Sequence, residues 1–183
     1  MVTRLLVLMA LALPVSAAEI AGVKFDQQAR VAESPLTLKG LGLRKRLFFQ
    51  VYAIGLYVQD TKGDPVAQGG AKRVAIHMLR DVDAETFTQA LVDGMRPNHD
   101  EATMTALAPR IAQLSAIMAQ MQQAKKGMAI ALDWVPGAGT RMSIDGKPAG
   151  QPIEGEDFYR ALLRIWLGDK PVQDDLKQAL LGG

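Results

Sequence analysis

Residues 40–57 read GLGLRKRLFFQVYAIGLY. Two glycines stand two apart, three cations follow at Arg44, Lys45 and Arg46, and an almost wholly apolar or aromatic run comes next. A strand that is apolar on both faces cannot leave one face in water. It belongs inside a sheet, covered on both sides or curled around a ligand. The rest of the chain must therefore supply cover for two faces. The pattern predicts a glycine-spaced turn at the start and one long strand over 45–59.

The flanking sequence supplies that cover. A lead-in over 18–26 holds a short strand near Val23 and Phe25, and two more strands, 27–32 and 36–39, flank Glu33-Ser34-Pro35. In 71–79, Val74, Ile76 and Met78 alternate with Arg73, Ala75 and His77, as a strand requires. Asp81 or Asp83 is placed to cap a helix over 84–94. Asn98 with Glu101 resembles a capping box opening the longest helix, to about residue 124. Met104, Leu107, Ile111, Leu114, Met118 and Met121 form its apolar stripe, which reads as core. Pro109 is expected to kink or divide that helix near Ala108. Strands over 128–134 and 140–144 join through Pro136–Gly139, and Asp145-Gly146 turns into a short strand over 147–150. Helices over 155–167 and 173–181 close the chain. This order predicts an α+β fold: a mainly antiparallel sheet with helices gathered on one face.

The first residues are a candidate export signal. Arg4 precedes the apolar run Leu5–Leu13, Pro14 breaks it, and Val15-Ser16-Ala17-Ala18 offers small residues for cleavage after 17 or 18. The expectation is a leader over 1–17, one domain over 18–183, and an exported, periplasmic protein. Nine apolar residues do not span a bilayer, and no later run is long enough. Losing Arg4 from 21 Lys and Arg against 19 Asp and Glu leaves a formal charge of about +1, too small to point to nucleic acid. Without cysteine, thiol chemistry and Cys-bound metals are excluded, and His77 and His99 lack metal-ligand spacing. No metal or cofactor is expected.

Arg44 is the first candidate for chemistry, because a guanidinium fork matches a carboxylate. On one continuous strand Arg44, Arg46, Phe48, Gln50 and Tyr52 would share a face, putting a phenol in line with the cation. Two readings stay open: an anion site, or solvated charges at a strand entrance with Tyr52 in the core. Tyr57 lies an odd number of residues from Arg44, so an unbulged strand turns it to the other face. Arg80-Asp81 reads as a local ion pair or cap, and His77 as a hydrogen-bonded strand histidine. No nucleophile elbow, phosphate loop or catalytic carboxylate pair is present.

GLGLRKRLFFQVYAIGLYVQD, HMLRDVDAETF and EGEDFYRALLRIWLGDKPVQDDLKQALL, in that order, resemble the bacterial branch of the chalcone isomerase-like family over nearly all of 18–183. The resemblance implies an open-faced β-sandwich, with a large antiparallel sheet backed by helices. The family holds enzymes that cyclise chalcones and non-catalytic relatives that bind fatty acids, and its cleft arginine matches Arg44. The enzymes' catalytic threonine falls on Tyr52, their tyrosine on Phe87, their asparagine near Gly94, and a late-helix threonine on Ile165. Phe87 and Ile165 cannot donate the hydrogen bonds that a developing enolate needs.

The resemblance therefore implies a binding protein for a fatty acid or similar amphiphilic carboxylate, with no catalytic residue. Its ligand-binding positions are Arg44, Tyr52, Tyr57, Phe87 and Ile165. Two alternatives remain: an isomerase or lyase on a small non-flavonoid substrate, and a structural interaction module of the cell envelope.

Overall fold

The structure is a computed structural model that describes residues 17–183. The expected leader lies outside the described residues except for Ala17. The strands are β1 (Ala17–Ile20), β2 (Val23–Asp26), β3 (Gln28–Val31), β4 (Ser34–Arg46), β5 (Phe49–Val58), β6 (Lys72–Met78) and β7 (Val82–Asp83). Helix α1 (Ala84–Met95), a 3-10 turn (Arg96–Asn98) and helix α2 (Glu101–Ala119) follow. Next come β8 (Gln123–Ala124), β9 (Ala129–Val135), β10 (Gly139–Ile144), β11 (Lys147–Ile153), α3 (Glu156–Leu167) and α4 (Asp174–Leu180).

Seven strands form one antiparallel sheet in the order β11-β10-β9-β6-β5-β4-β3. The four helices make this the α+β fold that the element order predicts, in the open-faced sandwich form that the family resemblance implies. β5 is interior and covered on both faces. Tyr52, Ile54, Leu56 and Val58 enter the core shared with the helices. Ala53 and Tyr57 enter a second, smaller core with Phe25 of the β1–β2 hairpin. Gly55 makes room for that hairpin, since a Cβ there would meet Phe25 Cδ1 at 2.8 Å.

The long apolar stretch departs from its expected form. It is a hairpin rather than a single strand: Arg46 pairs with Phe49, and Leu47-Phe48 is the turn. Leu47 takes a positive φ of 54°, where glycine or asparagine is usual. Apolar residues at these two positions hide the turn from a reading by composition.

The glycines at the start of the stretch are not a turn either. Gly40 and Gly42 lie within β4, and their missing side chains let α4 close onto the sheet. A Cβ on Gly40 would meet the main-chain oxygen of Leu180 at 2.6 Å, and one on Gly42 would meet Leu176 Cδ1 at 2.6 Å. β3 pairs only with Ser34–Thr37, so α4 and the segment before it cover the remainder of β4. There Gln173 imitates a strand: its Nε2 donates to Leu43 O at 3.0 Å and its Oε1 accepts from Lys45 N at 2.8 Å.

Asp83 caps α1, accepting from the Glu85 and Thr86 amides. Asp100 caps α2 in place of Asn98, accepting from Thr103 N at 2.8 Å. Pro109 does not divide α2, because it stands on the exposed side where water can hydrate the carbonyl its ring leaves unbonded. The helix ends at Ala119, earlier than expected, and Gln123–Ala124 pairs with β7 instead. Leu107, Leu114 and Met118 are buried in the main core, as the stripe predicts.

Candidate functional site

Between the sheet and the helices, at the end marked by the β4–β5 turn, lies a cavity of about 810 Å³. That is within the range of small-molecule sites, roughly 300–1,000 Å³. Its floor is buried and apolar: Phe87 and Leu91 from α1, and Ile165 from α3. Gly94 gives Ile165 its place, since a Cβ there would meet Ile165 Cγ2 at 2.8 Å. Pro171 and Val172, before α4, close one side. Leu47, Phe49, Arg80 and Lys170 stand around the rim, all four exposed.

Arg44 and Tyr52 supply polar groups to this wall. The hairpin sets them opposite one another as Cα partners, and directly opposed residues share a face of a sheet. The expected adjacency of cation and phenol is therefore real, but it arises across two strands rather than along one. Arg44 Nη1 donates to three oxygens: Lys45 O at 2.8 Å, Val172 O at 3.2 Å and Gln173 Oε1 at 3.3 Å. Those bonds fix the guanidinium against the segment leading into α4. Arginine carries five N–H groups, so others are left to meet a ligand.

The Tyr52 hydroxyl accepts a hydrogen bond from Trp166 Nε1 at 2.9 Å. Burial raises its pKa above the ordinary phenol value, against opposing effects of the Trp166 bond and the Arg44 charge. The phenol stays protonated near neutral pH and has its own hydrogen to give. Phe87 meets its ring edge-on, with centroids 6.0 Å apart.

Four of the five expected ligand-binding residues, Arg44, Tyr52, Phe87 and Ile165, therefore line one cavity. Tyr57 does not. It faces the second core on the other side of the sheet, and its hydroxyl donates to Asp26 O at 3.0 Å. Burial, reinforced by the Asp26 charge, pushes that phenol up to about 12. The odd spacing from Arg44 carried this signal: a two-residue turn alone inverts the even-odd rule across a hairpin, and the bulge between Arg44 and Lys45, with one extra residue on β5, restores it.

Arg80 differs from its reading as a partner of Asp81. Its guanidinium lies over the Phe49 ring, 4.5 Å from the centroid, while Asp81 accepts from Lys126 N at 2.7 Å. His77 packs edge-on against Phe25 at 5.0 Å, with no side-chain hydrogen bond among the described residues. Trp166 and the wall from Lys170 to Val172 are not picked out as site residues by the sequence. No local pattern signals a bond across 114 residues.

This architecture is an antiparallel sheet backed by helices, with a largely apolar cavity and a cationic group in its wall. A family model described as chalcone isomerase-like matches residues 17–182, and the chain belongs to that family. The fold is similar to the crystal structure of an Arabidopsis thaliana fatty-acid binding protein, AtFAP1, with a TM-score of 0.69. The identity is 16%, over 91% of this chain and 96% of that one, so the likeness carries the fold alone. A search among curated proteins found no match.

Proposed function

We propose that the cavity binds a fatty acid or similar amphiphilic carboxylate without transforming it. The observation that carries this reading is the placement of Arg44 and Tyr52 side by side above the buried apolar floor, while the other charged lining residues, Arg46, Arg80, Asp81, Asp83, Asp93 and Lys170, stand exposed. Arg44 holds the carboxylate, Tyr52 donates a second hydrogen bond, and Phe87, Leu91 and Ile165 enclose the start of the tail. Each methylene buried contributes roughly 0.8 kcal/mol, so the tail supplies most of the affinity. The fatty-acid binding neighbour supports the ligand class, and the apolar side chains at Phe87 and Ile165 count against enolate chemistry.

Solvent extraction of the purified protein, followed by lipid mass spectrometry, tests the reading. The expected result is a stoichiometric amphiphilic acid. An empty extract, together with no uptake of added fatty acids, rejects it.

One observation favours a second reading, in which Arg44 serves the fold. Its Nη1 already bonds Val172 O and Gln173 Oε1. Under that reading Arg44→Gln lowers stability and leaves ligand affinity unchanged.

The candidate leader adds the proposal that the protein is exported to the periplasm. Fractionation of the expressing cells, with N-terminal sequencing to find a start at residue 18 or 19, checks it.

A further inference from the structure

We infer that the β4–β5 turn is a docking tip for an anionic lipid surface. Leu47, Phe48 and Phe49 are the exposed large apolar side chains among the described residues, at 85%, 98% and 56% exposure, and they are consecutive. Phe48 does not line the cavity, so a bound ligand does not account for it. Turn geometry does not select these residues either. A two-residue hairpin turn with positive φ at its first central residue favours glycine there, and Leu47 holds a φ of 54° at a steric cost.

Cations surround the tip. Lys45 and Arg46 precede it, and both are exposed. Arg80 reaches over Phe49. Lys125 and Lys126 are exposed at the same end of the sheet, where Gly127 N donates to Met78 O, and Met78 pairs with Tyr52. The acids nearby are engaged: Asp81 with the Lys126 amide and Asp83 with the first turn of α1. The chain as a whole is close to neutral, so this positive end is local.

The shape and charge choose the occupant. A protruding tip of one leucine and two phenylalanines offers roughly 150–250 Å² per ring. That falls short of the about 800 Å² per partner that a stable protein interface buries. A symmetric pair of copies would set these cations against themselves. A bilayer has neither difficulty, because its headgroup boundary accepts single apolar side chains and its anionic lipids attract lysine and arginine. Leu47 and Phe49 also line the cavity, so an inserted tip holds the cavity mouth at the headgroups. That consequence rests on the proposed ligand, whereas the docking itself does not.

The experiment is vesicle co-sedimentation of the full, delipidated protein, using phosphatidylcholine alone and phosphatidylcholine mixed with phosphatidylglycerol. The mixed vesicles are expected to carry the protein down, with binding lost at high salt. Leu47→Gly with Phe48→Ser puts glycine at the positive-φ position, as this turn prefers, so the fold is kept while the apolar tip is removed. Its partitioning should fall about tenfold or more. Lys45→Gln with Arg46→Gln should weaken binding about fivefold or more. Equal sedimentation of the tip variant and the wild type overturns the proposal. So does failure of the wild type to bind mixed vesicles, or a wild-type dimer that the tip variant dissolves in place of vesicle binding. Failure of ligand uptake alone, with vesicle binding intact, strikes the ligand reading and not this one.

Discussion

Arg44 and Tyr52 face each other across the β4–β5 hairpin, on the side of the sheet that lines the cavity. Each is held by a group from the C-terminal end of the chain. Arg44 is tied to Val172 and Gln173, and Tyr52 is tied to Trp166. The pair is thereby fixed before any ligand arrives, which lowers the ordering cost of binding.

Tyr52→Phe removes the acceptor of Trp166 Nε1, which is buried. An orphaned buried donor costs about 1–3 kcal/mol. The melting temperature is expected to drop by about 2–4 °C per kcal/mol lost. Adding Trp166→Phe should cost less in the double variant than on its own, because the orphan is gone. Strictly additive losses in a four-variant thermal series would show that the bond carries no stability.

Gly40→Ala pushes a methyl into the main-chain oxygens of Ala179 and Leu180, which cannot swing away as a side chain would. The helix must shift, at a cost of about 1–3 kcal/mol. Because Arg44 is tied to the segment leading into that helix, ligand affinity should fall in step. Gly69→Ala is the control, since a Cβ there meets nothing within 4 Å. Chemical denaturation of both variants checks the contrast.

Ile165→Thr combined with Phe87→Tyr introduces two hydroxyls among the apolar residues of the cavity floor. Unpaired, each is expected to cost about 1–3 kcal/mol when a lipid tail covers it. Fatty-acid affinity measured by displacement of a fluorescent probe should therefore fall by about tenfold or more in the double variant. Unchanged affinity would move the tail away from this floor.

His77 sits against Phe25, and burial lowers its pKa below the ordinary value of 6.5, with Asp145 opposing. The unfolded chain therefore binds the proton first as pH falls. Stability should decline as pH drops through about 6.5 and level off below the folded-state value. His77→Phe keeps a ring against Phe25 without a titrating group. Urea midpoints across that window should fall more steeply for the wild type than for this variant.

Much of the fold was legible, because the alternation in β6 and the stripe on α2 are direct prints of burial. The turn at Leu47-Phe48 was not, since leucine stands where glycine is usual and phenylalanine follows it, and the run reads as one strand. Gly40 and Gly42 misled for the opposite reason: turn residues were serving helix packing. Arg44, Tyr52, Phe87 and Ile165 came together as the family resemblance implies. Tyr57 faces the other side of the sheet. The tethering of Arg44 by Gln173 joins residues 129 apart, and no pattern within either segment encodes it.

The most direct measurement compares a long-chain fatty acid with the alcohol of the same chain length, by calorimetric titration of wild type and Arg44→Gln. A desolvated charge pair contributes more than a neutral hydrogen bond. The account predicts that the wild type prefers the acid, and that Arg44→Gln weakens the acid by about tenfold or more while leaving the alcohol nearly unchanged. Equal losses for acid and alcohol, or no preference in the wild type, would contradict an anion anchor at Arg44.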